Sequence, residues 1–320
     1  MVILKSTELI DLSSKSEFIK INTEYKNFNK TNQKITNMPT LKLNSKGAAV
    51  KTMQQNLLSL GYTLVADSIF GKGTEAVVKQ FQMEHNLSPD GIVGTNTLSV
   101  IDELINATPI YGIDISHHNG AINFNNINKN IVKFVYCKAS QGKFFKDEML
   151  SPYMSELKRL SIYRGAYHFM TFKDVSAAEQ VTNFLNCGID FNEKGMLPPV
   201  LDVEWQQSAE LNTYISNNKA ACIRKVKDWL VAVENATGRK PIIYTANSFW
   251  RDYLNSPATF GEYPLWLAAY NAVPGTIPAG WNNYTIWQFT ESGHVDGIVG
   301  NLDKNIFKGN LSQLKKLANG

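Results

Sequence analysis

Residues Pro198 to Trp205, PPVLDVEW, read as a short buried strand that ends in two carboxylates. Successive strand side chains face opposite sides, so Asp202 and Glu204 share one face, with alpha carbons about 6.5–7 Å apart at a rise of roughly 3.3 Å per residue. Two buried acids facing one space raise each other's pKa, because burial disfavours both charges and each charge disfavours the other. One then keeps its proton beside an ionised partner, as general acid catalysis near neutral pH requires. An isolated Asp-x-Glu is more often a helix cap or a surface ion pair, so its surroundings decide its meaning. Two further acids stand out, Asp114 in GIDIS and Asp303 in NLDKN. Lys138 in KASQG and Gln288 in WQF can donate hydrogen bonds, while Tyr167 in GAYHF and Tyr270 in WLAAY offer ring faces with a hydroxyl. His117 and His118 follow Asp114 closely, but adjacent side chains on an extended segment diverge, and neither an H-x-x-x-H spacing nor a third ligand accompanies them. They read as rim residues, and no metal site and no cofactor are expected.

The elements that must position these groups begin after a short hinge at 105–109. Apolar runs YGIDIS (111–116), FVYCKAS (134–140), RGAYHFM (164–170), PPVLDVEW (198–205), PIIYTAN (241–247), PLWLAAY (264–270) and YTIWQF (284–289) alternate with amphipathic stretches at about 147–160, 175–187 and 216–236. Strand alternating with helix predicts an α/β fold with a parallel sheet, and seven or eight strands predict closure into an irregular (β/α) TIM-like barrel over 109–320. The last three runs leave little room for helices between them, so some should be missing. Asp114, Lys138, Tyr167, Glu204, Tyr270 and Gln288 all fall near the C-terminal ends of their runs, where such a barrel gathers its chemistry. Asp114 and Asp303 then arrive from the first and last strands.

Upstream, residues 1–39 are rich in Asn, Lys, Thr and Ser and read as an extension, partly disordered or added to a neighbouring element. Residues 40–106 predict a small three-helix all-α domain. Val50, Met53, Leu57, Leu58 and Leu60 make one helical stripe, and Val77, Val78 and Phe81 begin another. An internal repeat, DSIFGKGT (67–74) and DGIVGTNT (90–97), follows the pattern Asp-x-apolar-apolar-Gly-x-x-Thr. The Asp suits a tight turn, the apolar pair plugs the core, the Gly permits the reversal and the Thr can cap the next helix. DGIVG recurs at 296–300, which reads as shared turn chemistry.

The chain is 43% hydrophobic with a formal charge of +4 and no basic run, which argues against a nucleic-acid partner. Cys137, Cys187 and Cys222 are widely spaced and odd in number, so buried reduced thiols are expected rather than a disulfide scaffold or zinc site. No apolar run has the length of a membrane span, and the opening MVILKSTELIDLSS lacks a basic segment followed by an apolar core. Synthesis in a (host) cytoplasm without a signal peptide, and no membrane insertion, are the expectations. No feature specifies an oligomeric state.

Gly47, Val50, Gln54, Leu57, Gly61-Tyr62, Phe70-Gly71, Phe81-Gln82 and DGIVG at 90–94 together resemble the peptidoglycan-binding domain carried by many cell-wall hydrolases. Ser68 departs from it, standing where that family usually has Gly, and this bears on turn geometry. From Tyr111 to Phe307, GIDIS, KASQG, GAYHF, LDVE, WLAAY, WQF and NLDKN follow in the order of the glycoside hydrolase family 25 lysozymes, the Chalaropsis-type muramidases. KASQG, where the family often has an acid after Ser or Thr, and the polar flanks of NLDKN are small departures that remove no carboxylate.

The resemblance implies hydrolysis of the β-1,4 bond between N-acetylmuramic acid and N-acetylglucosamine in bacterial peptidoglycan. Glu204 would protonate the departing oxygen. Asp114, Asp202 and Asp303 would complete an acidic floor, with Asp202 staying charged and steering the substrate's acetamido group or a water. Tyr167 and Tyr270 would stack on sugars, and Lys138 and Gln288 would hydrogen-bond the glycan. Trp266 and Trp287 suit either a cleft or a core. Attack by the acetamido group and direct attack by water with inversion both stay open. A chitinase-like glycosidase is disfavoured because a D-x-x-D-x-D-x-E run is absent, and an inactive wall-binding barrel because four carboxylates are kept. Without an evident export signal, a phage endolysin acting at the wall after release is expected ahead of a bacterial autolysin.

Overall fold

Eight strands close into a ring in which the first barrel strand pairs with both the second and the last. The computed structural model describes residues 39–60, 62–105 and 109–319. The expected extension, apart from Pro39, and most of the hinge at 105–109 lie outside the described residues.

The N-terminal unit holds α1 (Ala48–Ser59), α2 (Lys72–Glu84) and α3 (Thr95–Ile105). Val50, Met53, Leu57, Val78 and Phe81 bury their stripes against Phe70, Val93 and Ile101, a core separate from the barrel's. The repeat is built around two buried glutamines. Gln54 on α1 sets its Nε2 against Asp67 Oδ1 (3.0 Å), the Ile69 carbonyl (3.1 Å) and Thr74 Oγ1 (3.1 Å), and its Oε1 accepts from the Ser68 backbone N–H (3.0 Å). Gln82 on α2 repeats the arrangement with Asp90 (2.8 Å), Ile92 (2.9 Å), Thr97 (3.2 Å) and the Gly91 N–H (2.9 Å). Thr74 and Thr97 are therefore inward partners of an amide, within the first turns of their helices, rather than caps. Only one residue of each apolar pair plugs the core: Phe70 and Val93 are buried, whereas Ile69 and Ile92 are exposed.

The barrel strands are β1 (Ile110–Ile115), β2 (Val132–Gln141), β4 (Tyr163–Phe169), β5 (Val200–Asp202), β6 (Ile242–Ala246), β7 (Leu265–Ala268), β8 (Ile286–Gly293) and β9 (Leu302–Phe307). The two-residue β3 (Phe145–Lys146) adds a hairpin to the end of β2. Helices α4 (Leu150–Leu160), α5 (Ala177–Leu185), α6 (Ala209–Asn217), α7 (Lys219–Thr237) and α8 (Asn247–Leu254) follow β3, β4, β5 and β6, and none separates β7 from β8 or β8 from β9. The sheet departs from the expected parallel order at β9, which is antiparallel to both β8 and β1. The connection at 294–301 is too short for a parallel crossover, so the chain turns back as a hairpin. PPVLDVEW also yields a shorter strand than expected, so Glu204 lies just past the end of β5.

Inside the ring, Phe134, Tyr136, Val200, Ile242, Trp266, Ile286 and Phe307 pack together. Gly112 and Gly165 make room for them: an added Cβ would come within 2.4 Å of the Phe134 ring and 2.2 Å of the Tyr136 ring. The final helix α9 (Leu311–Asn319) inserts Leu314 and Ala318 into the same cluster. The larger outer core lies between the strands and the surrounding helices. Asn283, just before β8, donates to the Leu58 carbonyl (3.1 Å), and Asn282 to Thr63 (3.3 Å), which ties the helical unit to the end of the barrel where β8 begins. The three cysteines are free thiols, Cys137 and Cys222 buried and Cys187 half-buried. No helix among the described residues is long and apolar enough to cross a membrane.

Candidate active site

The C-terminal ends of the parallel strands and the start of antiparallel β9 meet at one end of the ring, and Asp114, Tyr167, Asp202, Glu204, Gln288 and Asp303 line a single cavity there. The reversal of β9 is what brings Asp303 in: it stands directly opposite Asp114 in the β1–β9 register. The two carboxyls are hydrogen-bonded to each other. Burial together with the Asp114 charge pushes Asp303 up to about 9. Asp114 is also raised by burial, but amide donors on its Oδ2 oppose the shift, Asn305 Nδ2 at 2.7 Å and Gln288 Nε2 at 3.0 Å. Asp303 thus holds the proton of this pair at neutral pH.

Those amides are themselves oriented. Gln288 Oε1 accepts from the hydroxyls of Tyr244 (2.7 Å) and Tyr270 (2.8 Å), and Asn305 Oδ1 accepts from the indole of Trp266 (2.8 Å). With each oxygen committed to a donor, each NH2 must face Asp114. Gln288 is therefore a fixed strut for Asp114, which takes one of the two hydrogens of its amide. Tyr270, beyond the end of β7, is 46% exposed at the mouth and anchored by its hydroxyl. Trp266 lines the cavity, whereas Trp287 is buried in the outer core. Tyr244, Trp266 and Asn305 complete this network. Asn305 shares a strand face with Asp303 at a spacing of two, a signal that was available in the sequence.

Asp202 ends β5, fully inside the ring, and its Oδ1 is buried with no hydrogen-bond partner among the described residues. Burial, the Glu204 charge and the Asp114 and Asp303 charges raise it well above the usual carboxylate range, with Lys138 opposing. Burial and the Asp114 charge raise Glu204 to about 7, again opposed by Lys138. The Lys138 ammonium donates to Gln141 Oε1 (2.8 Å) and lies 5.6 Å from the Phe145 ring centre and 5.1 Å from that of Phe169. Burial lowers its pKa, and Asp202 is the largest of the charges that offset this. The expected division, Glu204 protonated and Asp202 charged, is thus not imposed by the free site: Asp202 is the deeper of the two and carries no donor to hold its charge.

His117 and His118 form a short 3-10 turn after β1. His117 is clamped by Asp147, whose Oδ2 meets both its ring Nδ1 (2.7 Å) and its backbone N–H (3.0 Å). No group of three His, Cys, Asp or Glu among the described residues could hold a metal ion.

The family model described as Glycosyl hydrolases family 25 matches residues 113–298, and one for a peptidoglycan binding domain matches residues 46–101. The chain is 31% identical over 212 residues to Lysozyme M1 of Streptomyces globisporus, covering 66% of this chain and 71% of that protein. It is 32% identical over 217 residues to the N,O-diacetylmuramidase of Chalaropsis sp, covering 66% of this chain and 100% of that one. The crystal structure of the bacterial lysozyme from Streptomyces coelicolor superposes with a TM-score of 0.63 at 30% identity, over 67% of this chain and 98% of that chain.

Proposed function

The chain belongs to glycosyl hydrolases family 25, and from that premise we infer that it cuts the β-1,4 bond after N-acetylmuramic acid in peptidoglycan with Glu204 as general acid. It is a glycoside hydrolase of cell-wall peptidoglycan, joined to a peptidoglycan-binding unit. The observation that carries the residue assignment is the unpartnered, buried Oδ1 of Asp202 beside an acid raised to about 7.

An acceptor without a donor fits a substrate that brings an N–H, and the 2-acetamido group does. Its amide hydrogen on Asp202 Oδ1 favours the ionised carboxylate and leaves the shared proton with Glu204. Glu204 gives that proton to the glycosidic oxygen as the C1–O bond breaks, and the acetamido carbonyl oxygen closes on C1. Water then opens that ring with Glu204 as base, so configuration is retained. Asp114 and Asp303, sharing one proton, add acidity without a second full charge. The enzyme acts at the bacterial wall, and the N-terminal unit holds it there.

Mass spectrometry of digested walls tests this reading. The expected product carries its new reducing end on muramic acid, released with retained configuration by NMR, and Glu204→Gln clears walls at the background rate. A reducing end on glucosamine, or walls cleared equally by the Gln variant, contradicts it.

A further inference from the structure

GAYHF supplies Tyr167 to the acid cavity, but its next residue, His168, points the other way and is fully buried. Its ring stacks on Trp229 of α7 at 5.7 Å and 18° and meets Phe184 of α5 edge-on. Gln180 of α5 is oriented by Thr171, whose N–H donates to its Oε1 (2.8 Å) and whose carbonyl accepts from its Nε2 (3.0 Å). That Oε1 also lies 3.2 Å from His168 Nε2, so Nε2 bears the ring hydrogen. Nδ1 is left to accept from the hydroxyl of Ser140 on β2, at 2.8 Å. Burial, with the Lys138 charge adding to it and Gln180 opposing, pushes the His168 ring down to about 4, so it stays neutral at physiological pH.

The Ser140 hydroxyl sits where β2 carries one residue too many. Lys138 pairs with Tyr167 and Ser140 with His168, which leaves Ala139 as the extra residue of a bulge. The Ala139 carbonyl accepts from the Asp147 N–H (2.9 Å) and the Cys187 thiol (3.5 Å). Ala139 and Ser140 both face the outer core, so Lys138 and Gln141 both face inward, where they bond at 2.8 Å. A regular strand would set Ala139 opposite His168, turn Ser140 inward and Gln141 outward, and deprive Lys138 of its partner. Ala139 has no side-chain hydrogen to offer His168, so the bond from Ser140 favours the bulged register. We propose that His168 and Ser140 are positioning residues that pin this bulge and so hold Lys138 on Gln141, beside Asp202 and Glu204. This rests on the muramidase reading for the role of Glu204.

The test follows the Glu204 carboxyl carbon by NMR titration of the full-length protein, which needs no turnover. Of the charges that act on Glu204, Asp114 and Glu291 raise it and Lys138 lowers it. A loosened bulge lets Lys138 retreat, so Ser140→Ala and His168→Phe, the latter keeping a ring on Trp229, should each raise the Glu204 midpoint. The expected rise is about 0.5, the size for a unit charge that retreats by about 2 Å at an effective dielectric near 20. Either change added to Lys138→Met should move the midpoint no further than Lys138→Met alone. Leu254→Ala, an outer-core truncation on α8, which packs on β6, should leave it unmoved. An unmoved or lowered midpoint in either variant, an equal rise in Leu254→Ala, or a further rise on the Lys138→Met background overturns the proposal. If neither variant folds, nitrogen NMR of the wild-type ring decides. Hydrogen on Nε2 and a bare Nδ1 from about pH 5 to about pH 8 uphold the proposal, and a ring that gains a proton in that range or carries its hydrogen on Nδ1 overturns it. A protein that titrates as expected yet releases no reducing ends on muramic acid overturns the muramidase reading instead and leaves the positioning intact.

Discussion

Lys138 is the residue on which the balance of the acids turns. Its cation stabilises the ionised forms of both Asp202 and Glu204, so it holds both acids below the values that burial alone would give. A general acid works only while protonated, so kcat/KM should fall as pH rises through about 7, the value to which Glu204 is raised. Lys138→Met removes the charge that favours ionised Glu204, which moves this alkaline limb to higher pH. The same change makes ionised Asp202 costlier and lowers kcat. A pH–rate series on soluble glycan fragments checks both, and a limb that stays put or moves down would show that Lys138 does not act on Glu204.

At the scale of elements, the duplicated turns make a controlled comparison within one small unit. Ser68 and Gly91 occupy equivalent positions with φ of 69° and 75°, a left-handed conformation that a side chain disfavours. Ser68→Gly should therefore stabilise the N-terminal unit by about 0.5–1 kcal/mol in denaturant unfolding. Gln54→Leu should cost about 2 kcal/mol or more, because it strips partners from the Ser68 N–H, Asp67 and Thr74 together. The sequence carried the helices of the N-terminal unit, α4, α5 and α7 of the barrel, the apolar strands and the repeat, since each depends on local periodicity, but it missed α6, α8 and α9. It did not carry the role of Gln54 or Gln82, because their partners lie many residues away. The same holds at the site. Asp114, Asp202, Glu204 and Asp303 were legible from their motifs, and Asn305 from its spacing to Asp303, while Tyr244 became visible only once distant strands were adjacent. Strand direction at β9 also escaped, because Leu302-Asp303-Lys304-Asn305 offers no clean apolar run and the short link before it decides the matter.

For the whole molecule, the two units have separate hydrophobic cores and, among the described residues, are linked by hydrogen bonds from Asn282 and Asn283 at the end of the barrel opposite the mouth. A barrel with its own closed ring and its own core does not depend on the helical unit for its packing. A protein lacking residues 1–108 should therefore cleave soluble glycan fragments at the wild-type rate while pelleting less with intact walls. Equal pelleting would remove the targeting role from the N-terminal unit.

The placement of β9 between β1 and β8 has a consequence for when during synthesis the acid cluster can form. Asp303 and Asn305 reach Asp114 only across contacts that span nearly the full barrel sequence, and Leu314 and Ala318 plug the ring last. Closing such long-range contacts is slow and cannot begin before the distant segment exists. A chain still emerging from the ribosome, even one carrying both Asp202 and Glu204, has an open sheet and no assembled acid pair. The assembled acid cluster thus arrives in a single late step of synthesis, not gradually with length.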